Sequence, residues 1–340
     1  MRILLFFILI FNLYADDLNI SQPIIVAADY NVTDTQHIVE VPDNYDSEKI
    51  DIAILINKDK FFKFIPSLLN SVNAYMLKQD INYHIKLFNL DKNITKTLNK
   101  VTPNYDYIFV YLTDPNQTKI LTKYDNDFFI PTLNKNQTDI NQSNTNIFFG
   151  GIDYKKQISK LDEYVVGKKI SIYDNSILSK SIASEINDAK QIKYPFYYKR
   201  NDLNKSFVFL NTKVVNTAQI LANFTYYDIK PNLLLSTQIN YSPLLFSLTN
   251  QEDTTNLIIA NSILNINPII ESNNIILNSD INYNWLNYTT SVLLNKVYSL
   301  ENDEDSYYLN DFDLYMFYNQ VEYKTNIYKI YKRGFIPIEE

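Results

Sequence analysis

The sequence has no cysteine, four glycines, two histidines and one tryptophan. Without cysteine there is no disulfide, no thiolate metal site, no cysteine nucleophile and no lipid-bearing cysteine of the bacterial lipoprotein kind. The glycines are Gly150, Gly151, Gly167 and Gly334, so neither a G-x-G-x-x-G fingerprint nor a P-loop is present. His37 and His84 lie far apart, and His84 falls inside an apparent strand; each reads as a structural residue. Positive charge is also short. With 31 Lys and Arg against 38 Asp and Glu, the net charge is -7, and nothing in that balance would neutralise phosphates, which argues against a nucleic-acid partner. No Ser-x-x-Lys and no H-E-x-x-H motif occurs, and threonine-rich strand ends lack a partner base. The expectation is therefore a protein that is not an enzyme and needs no cofactor or metal.

Long apolar runs are scarce as well. Arg2 supplies a positive charge, residues 3–13 an apolar core, and Leu13, Tyr14 and Ala15 a small-residue cleavage pattern before Asp16. That layout predicts a signal peptide over residues 1–15. No later run nears the 18 or so apolar residues of a membrane span, so the mature chain is expected to lack a transmembrane segment and to reside in the periplasm. Residues 16–50 are polar and read as an extended leader with one strand-like piece at 37–41.

What the chain does have is core-forming material: 46% hydrophobic residues over 340 positions, including 28 Tyr and 20 Phe. The stretch 205–263 organises the rest. Phe207 to Leu210 is a continuous apolar run, as in a strand buried on both faces. Val215, Ala218, Leu221 and Ala222 then repeat at helical spacing, widened by Ile220 and Phe224. A second apolar run, Leu233 to Leu235, follows Pro231, and a third, Leu257 to Ala260, closes the segment. Strand, helix and strand in this order imply a right-handed βαβ unit in a parallel sheet.

Similar signals recur on either side. Strands are expected at 52–56, 83–88, 107–112 and 128–130, with a helix from Phe64 whose first turn holds Pro66. A helix with Tyr154, Ile158, Leu161 and Val165 ends near Gly167, and a strand at 169–173 leads to a helix with Leu178, Ile182 and Ile186. A strand at 192–198 is weakened by Pro195. Residues 265–279 read as a connection, and Leu286, Thr289, Leu293 and Val297 as a helix beginning near Trp285. Residues 314–317 and 323–330 read as a closing pair of strands.

Three stretches resemble the type I periplasmic binding protein superfamily. They are 205–263, with its FVFLNT and LLLSTQ strand ends; FFGGIDYKKQISKLDEYVVGKKISIYD, whose helix carries Gln157; and INYNWLNYTTSVLLNKVY with the strands after it. The likeness spans roughly residues 52–338. It implies an α/β fold of two doubly wound lobes with parallel sheets, a central cleft and three crossings. It further implies lobe one at 52–149 and 265–300, and lobe two at 150–264 and 301–340. Relatives in the superfamily include branched-chain amino-acid-binding proteins and a lobe-shaped domain that activates penicillin-binding proteins.

In such sheets ligands bind beyond the carboxyl ends of the strands. Here those ends carry Thr113, Asp114 and Thr132 in lobe one, and Asn211, Thr212, Ser236 and Thr237 in lobe two. Each can instead cap the helix after it. One at a time, capping is the plainer reading; as a set they point to a cleft for a small polar molecule. The alternative is an envelope protein that binds a protein partner with the same fold and tolerates a cleft plugged by Tyr and Phe. The acidic residues Glu301, Asp303, Glu304, Asp305, Asp311 and Asp313 lack calcium-loop spacing and read as a solvated loop. Asn19, Asn31, Asn93, Asn141 and Asn204 match an acidic glycosylation sequon, a pattern that an Asn- and Asp-rich chain also produces by chance.

Overall fold

The computed structural model describes residues 38–39 and 50–338, apart from 80–81, 92, 141–145, 197–199 and 303–306. The expected signal peptide, nearly all of the leader, His37, Asn19, Asn31, Asn141 and the acidic Asp303 to Asp305 lie outside the described residues.

The strands are β1 (Ile38–Val39), β2 (Ile50–Ile56), β3 (Tyr83–Asn89), β4 (Tyr107–Val110), β5 (Asp127–Ile130), β6 (Ile147–Phe149), β7 (Lys169–Tyr173), β8 (Lys190–Lys193), β9 (Phe207–Asn211), β10 (Leu233–Ser236), β11 (Leu257–Asn261), β12 (Tyr308–Leu309), β13 (Leu314–Phe317), β14 (Gln320–Glu322), β15 (Asn326–Tyr331) and β16 (Gly334–Pro337). The helices are α1 (Lys58–Phe61), α2 (Ile65–Gln79), α3 (Ile94–Val101), α4 (Thr118–Leu121), α5 (Tyr154–Asp162), α6 (Ile177–Ser184), α7 (Val214–Tyr226), α8 (Leu244–Leu248), α9 (Gln251–Thr254), α10 (Pro268–Ile276) and α11 (Trp285–Glu301).

Among the described residues they build two sheets. The first runs β1-β3-β2-β4-β5-β6-β14-β13-β12 and the second β16-β15-β11-β10-β9-β7-β8. β2 to β6 are mutually parallel, as are β7 to β11, and the antiparallel strands sit towards the edges. Both sheets are covered on both faces. In lobe one, Ile52, Ile54, Phe109 and Phe129 pack under α2 and α11, while Ala53, Leu55, Val110 and Ile130 pack under α3. In lobe two, Ile172, Val208 and Leu210 meet α7, and Phe209 and Leu235 meet α5 and α6. Burial on both faces is why the central strands read as unbroken apolar runs. The expected architecture of two doubly wound α/β lobes is the one observed.

Several local expectations need correction. Residues 265–279 are not a bare connection: Asn267 caps α10, Pro268 occupies its first turn, and the helix packs against α2. The strand expected at 192–198 is β8, which ends at Lys193, before Pro195 with its missing N–H. α5 stops at Asp162 with Glu163 at its C-cap, so Gly167 lies beyond the helix end. α7 buries Thr217, Ala218, Ile220, Leu221 and Phe224, leaving Val215 and Ala222 exposed.

The largest correction concerns residues 301–340, expected wholly in lobe two. β12, β13 and β14 belong to the first sheet, where Gln320 pairs with Phe149 of β6; only β15 and β16 join the second. The expected closing strands therefore do not pair with each other. The anchor is Asp311. Its carboxylate accepts from Tyr75 at 3.2 Å and Gln79 at 2.7 Å on α2, lies 2.7 Å from the Lys78 ammonium, and accepts from Asn267 at 3.1 Å. Phe312 beside it stacks on Tyr75 with ring centroids 6.5 Å apart.

Candidate functional site

The carboxyl ends of β9 and β10 are sewn together rather than open. Leu210 offers its carbonyl to the Ser236 hydroxyl at 2.8 Å and to the Asn240 amide at 3.0 Å. Asn240 also donates to the Ser236 oxygen at 2.8 Å. Asn211 donates to the Ser171 hydroxyl of β7 at 3.0 Å, and the Thr212 and Thr217 hydroxyls are 2.7 Å apart. Asn211, Thr212, Ser236 and Thr237 are each 0% exposed. None of them caps a following helix with its side chain: α7 has Lys213 at its N-cap without a side-chain bond, and the turn after Thr237 likewise lacks one. Three oxygens here, Asn211 Oδ1, Thr237 Oγ1 and Asn240 Oδ1, have no hydrogen-bond partner among the described residues.

Asp174, just past β7, is the charged residue of this edge. Its carboxylate accepts from the Ser176 backbone and hydroxyl, from the Lys213 amide at 3.0 Å and from Asn216 at 2.9 Å. Burial alone would raise its pKa; the hydrogen bonds from Ser176, Lys213 and Asn216 outweigh it and bring it down to about 2. The negative charge thus sits at the N-termini of both α6 and α7, where peptide dipoles favour it. Both carboxylate oxygens are taken up by these neighbours.

Lobe one presents a looser edge. Thr113 is half-buried and accepts from Lys60 Nζ at 2.8 Å. Asp114 is exposed and caps the turn Pro115–Gln117 through the Asn116 amide at 3.0 Å. Thr132 is half-buried and donates to the Leu112 carbonyl at 2.6 Å. Each of the three bonds within its own lobe.

Between the lobes stands an aromatic cluster that sequence reasoning missed. Tyr241, in the turn after β10, stacks on Phe335 of β16 with centroids 4.2 Å apart and lies 5.2 Å from Tyr328. Tyr283, which precedes α11 of lobe one, reaches Tyr241 at 5.5 Å and Phe335 at 6.3 Å. Burial, with the neighbouring Tyr328 and Tyr283 hydroxyls, pushes the Tyr241 pKa up. Tyr241 and Tyr283 stand in irregular segments with no periodicity to mark them; only the abundance of tyrosine hinted at such a cluster. Two surface depressions on lobe two, one lined by Phe246, Ile330 and Arg333, the other by Phe224, Lys230 and Leu234, include none of the expected site residues.

No protein-family model matches the chain, and no curated protein does. Solved structures do match. A putative branched-chain amino acid ABC transporter protein from Silicibacter pomeroyi superposes with a TM-score of 0.61 at 9% identity, covering 86% of this chain and 96% of that one. An ABC transporter substrate-binding protein from Desulfitobacterium hafniense, in complex with Leu, gives 0.53 at 10% identity over 86% and 100%. The C-domain of Haemophilus influenzae LpoA, described as a regulator of PBP1A, gives 0.55 at 10% identity over 85% and 100%. Against a longer LpoA structure this chain spans 60% of the other's length. These likenesses agree with the type I periplasmic binding protein-like fold. The fold is shared by solute-binding proteins and by a protein regulator, and none of the described helices is long and apolar enough to cross a membrane.

Proposed function

We propose that this chain is an exported envelope protein that uses the two-lobed fold to hold a protein partner, without catalysis and without capturing a solute. The observation that carries the reading is the complete burial of Asn211, Thr212, Ser236 and Thr237, of which Asn211 and Ser236 bond through their side chains to neighbouring strands and Thr212 to α7. A solute clamp needs polar groups free to meet the ligand from both lobes. The aromatic bridge from Tyr283 to Tyr241 and Phe335 supports the same reading, since it occupies space between the lobes with apolar rings. The regulator LpoA, at 10% identity, offers a precedent for the fold and makes a penicillin-binding protein the first partner to try.

The test has two arms. Calorimetry with free amino acids, beginning with leucine, should give no binding heat. Affinity capture from cross-linked envelopes should recover one protein in stoichiometric amount. Saturable micromolar binding of an amino acid, with no stoichiometric protein, would return the chain to solute binding. Export is part of the proposal: the protein from the periplasmic fraction should begin at Asp16 by mass spectrometry, and intact Met1 in cytosol would contradict it.

A further inference from the structure

Three segments carry the chain between the sheets: 150–153 from β6 to α5, 262–267 from β11 to α10, and 323–325 from β14 to β15. In a fold that opens and closes, such segments absorb the change in backbone angle, so their polar groups must be free to shift. Here they are held. The Tyr323 hydroxyl donates to the Gly150 carbonyl at 2.6 Å. The Tyr288 hydroxyl donates to the Leu264 carbonyl at 2.7 Å and accepts from the Leu264 amide at 3.3 Å. Both tyrosines are buried, with ring centroids 6.0 Å apart, so Tyr323 ties the third crossing to the first while Tyr288 of α11 grips the second.

The remaining contacts close the set. Ser262 and Thr325, on two different crossings, share a hydroxyl–hydroxyl bond of 3.0 Å. Gln157 of α5 donates to Ser262 at 2.9 Å and to Gln238 at 2.7 Å, and accepts from the Gln238 amide at 3.1 Å. Gly151 is pressed so closely on lobe one that a Cβ there would collide with the backbone of Leu133 and Asn134, and its carbonyl accepts from Asn134 at 3.0 Å. Rotation about the crossings would strip partners from several buried carbonyls and hydroxyls at once, and a buried polar group left unmatched has no water to replace the lost bond. The Tyr241–Tyr283 contact adds a second tie between the lobes.

We infer that the three crossings act as a clamp and not as a hinge, so that the two lobes move as one rigid body. This goes beyond the partner-holding reading and stands or falls separately from it: a partner could be held by a body that flexes, and a rigid body could hold none. A rigid body presents one fixed surface to whatever it binds.

The absence of cysteine makes the test clean. Lys96→Cys on α3 and Lys180→Cys on α6 place one dye on an exposed site of each lobe. Single-molecule energy transfer should give one narrow distance in this labelled protein. Adding Tyr288→Phe and Tyr323→Phe should broaden it or add a second distance. Two exchanging distances before the tyrosines are changed would overturn the inference, as would an unaltered distribution afterwards. Should the double variant fail to fold, Tyr323→Phe alone provides a second readout by hydrogen exchange. Amides at 150–152 should then exchange at least about 10-fold faster, the expected consequence of losing roughly one hydrogen bond; unchanged exchange there would overturn the clamp.

Discussion

The two strand edges that a solute would have to bridge are built differently. On lobe one, Thr113, Asp114 and Thr132 are exposed or half-buried, and each makes one bond, to a lysine, a turn amide or the Leu112 carbonyl. On lobe two, Asn211, Thr212, Ser236 and Thr237 are all sealed, and the side chains of Asn211 and Ser236 bond across to neighbouring strands. The same residue types do surface work at one edge and core work at the other. Polar strand ends locate an edge in a doubly wound fold; they do not say whether it is open.

Substitutions can sharpen this contrast. The largest effect is expected at Asn240, whose side-chain amide reaches both the Leu210 carbonyl and the Ser236 oxygen from a fully buried position. Asn240→Ala should lower stability by about 2–3 kcal/mol, since two buried acceptors each lose a bond. Urea unfolding would measure it, and a change under about 0.5 kcal/mol would mean that the edge is open to water.

Asp174 should give the contrast a pH dependence. Its folded pKa, near 2, lies below the unfolded value of about 3.9, so its contribution is complete above pH 4 and is lost as pH falls towards 2. After allowance for partial solvent screening, about 1–2 kcal/mol should disappear across that window. Asp174→Asn should flatten that limb of the stability curve.

Lobe one should respond less. Thr132→Ala removes one half-buried bond and is expected to cost about 1 kcal/mol, with Thr113→Ala below about 0.5 kcal/mol because its lysine partner returns to water. The smallest effect is predicted within the sealed edge itself. Thr237 buries a hydroxyl without a partner among the described residues, so Thr237→Val, which keeps the shape, should be neutral or slightly stabilising in a thermal melt.

Which parts of this were legible in the sequence follows from how local the cause is. β9, α7 and β10 could be read because burial on both faces writes an unbroken apolar run, and a parallel pair demands a helix between. α10 was missed although Asn267 and Pro268 mark its start, because a helix that buries only Ile270 and Asn274 leaves almost no apolar stripe. The placement of β12 to β14 was out of reach. It depends on Gln320 meeting Phe149 and Asp311 meeting α2, contacts more than 150 residues apart in the chain. At the candidate site, the residue types and the edge were legible. Burial was not, because it is decided by Ser171, Leu210 and Asn240 from three separate segments.

The measurement that tests the account most directly is the stability of the double variant Asn211→Ala with Ser236→Ala, compared with Thr113→Ala with Thr132→Ala. The account predicts that the lobe-two pair loses at least about 2 kcal/mol and clearly more than the lobe-one pair, because its bonds are buried and hold strands together. Equal, small losses from both pairs, together with a solute whose binding only the lobe-two pair abolishes, would show that edge to be an open ligand site and contradict the account.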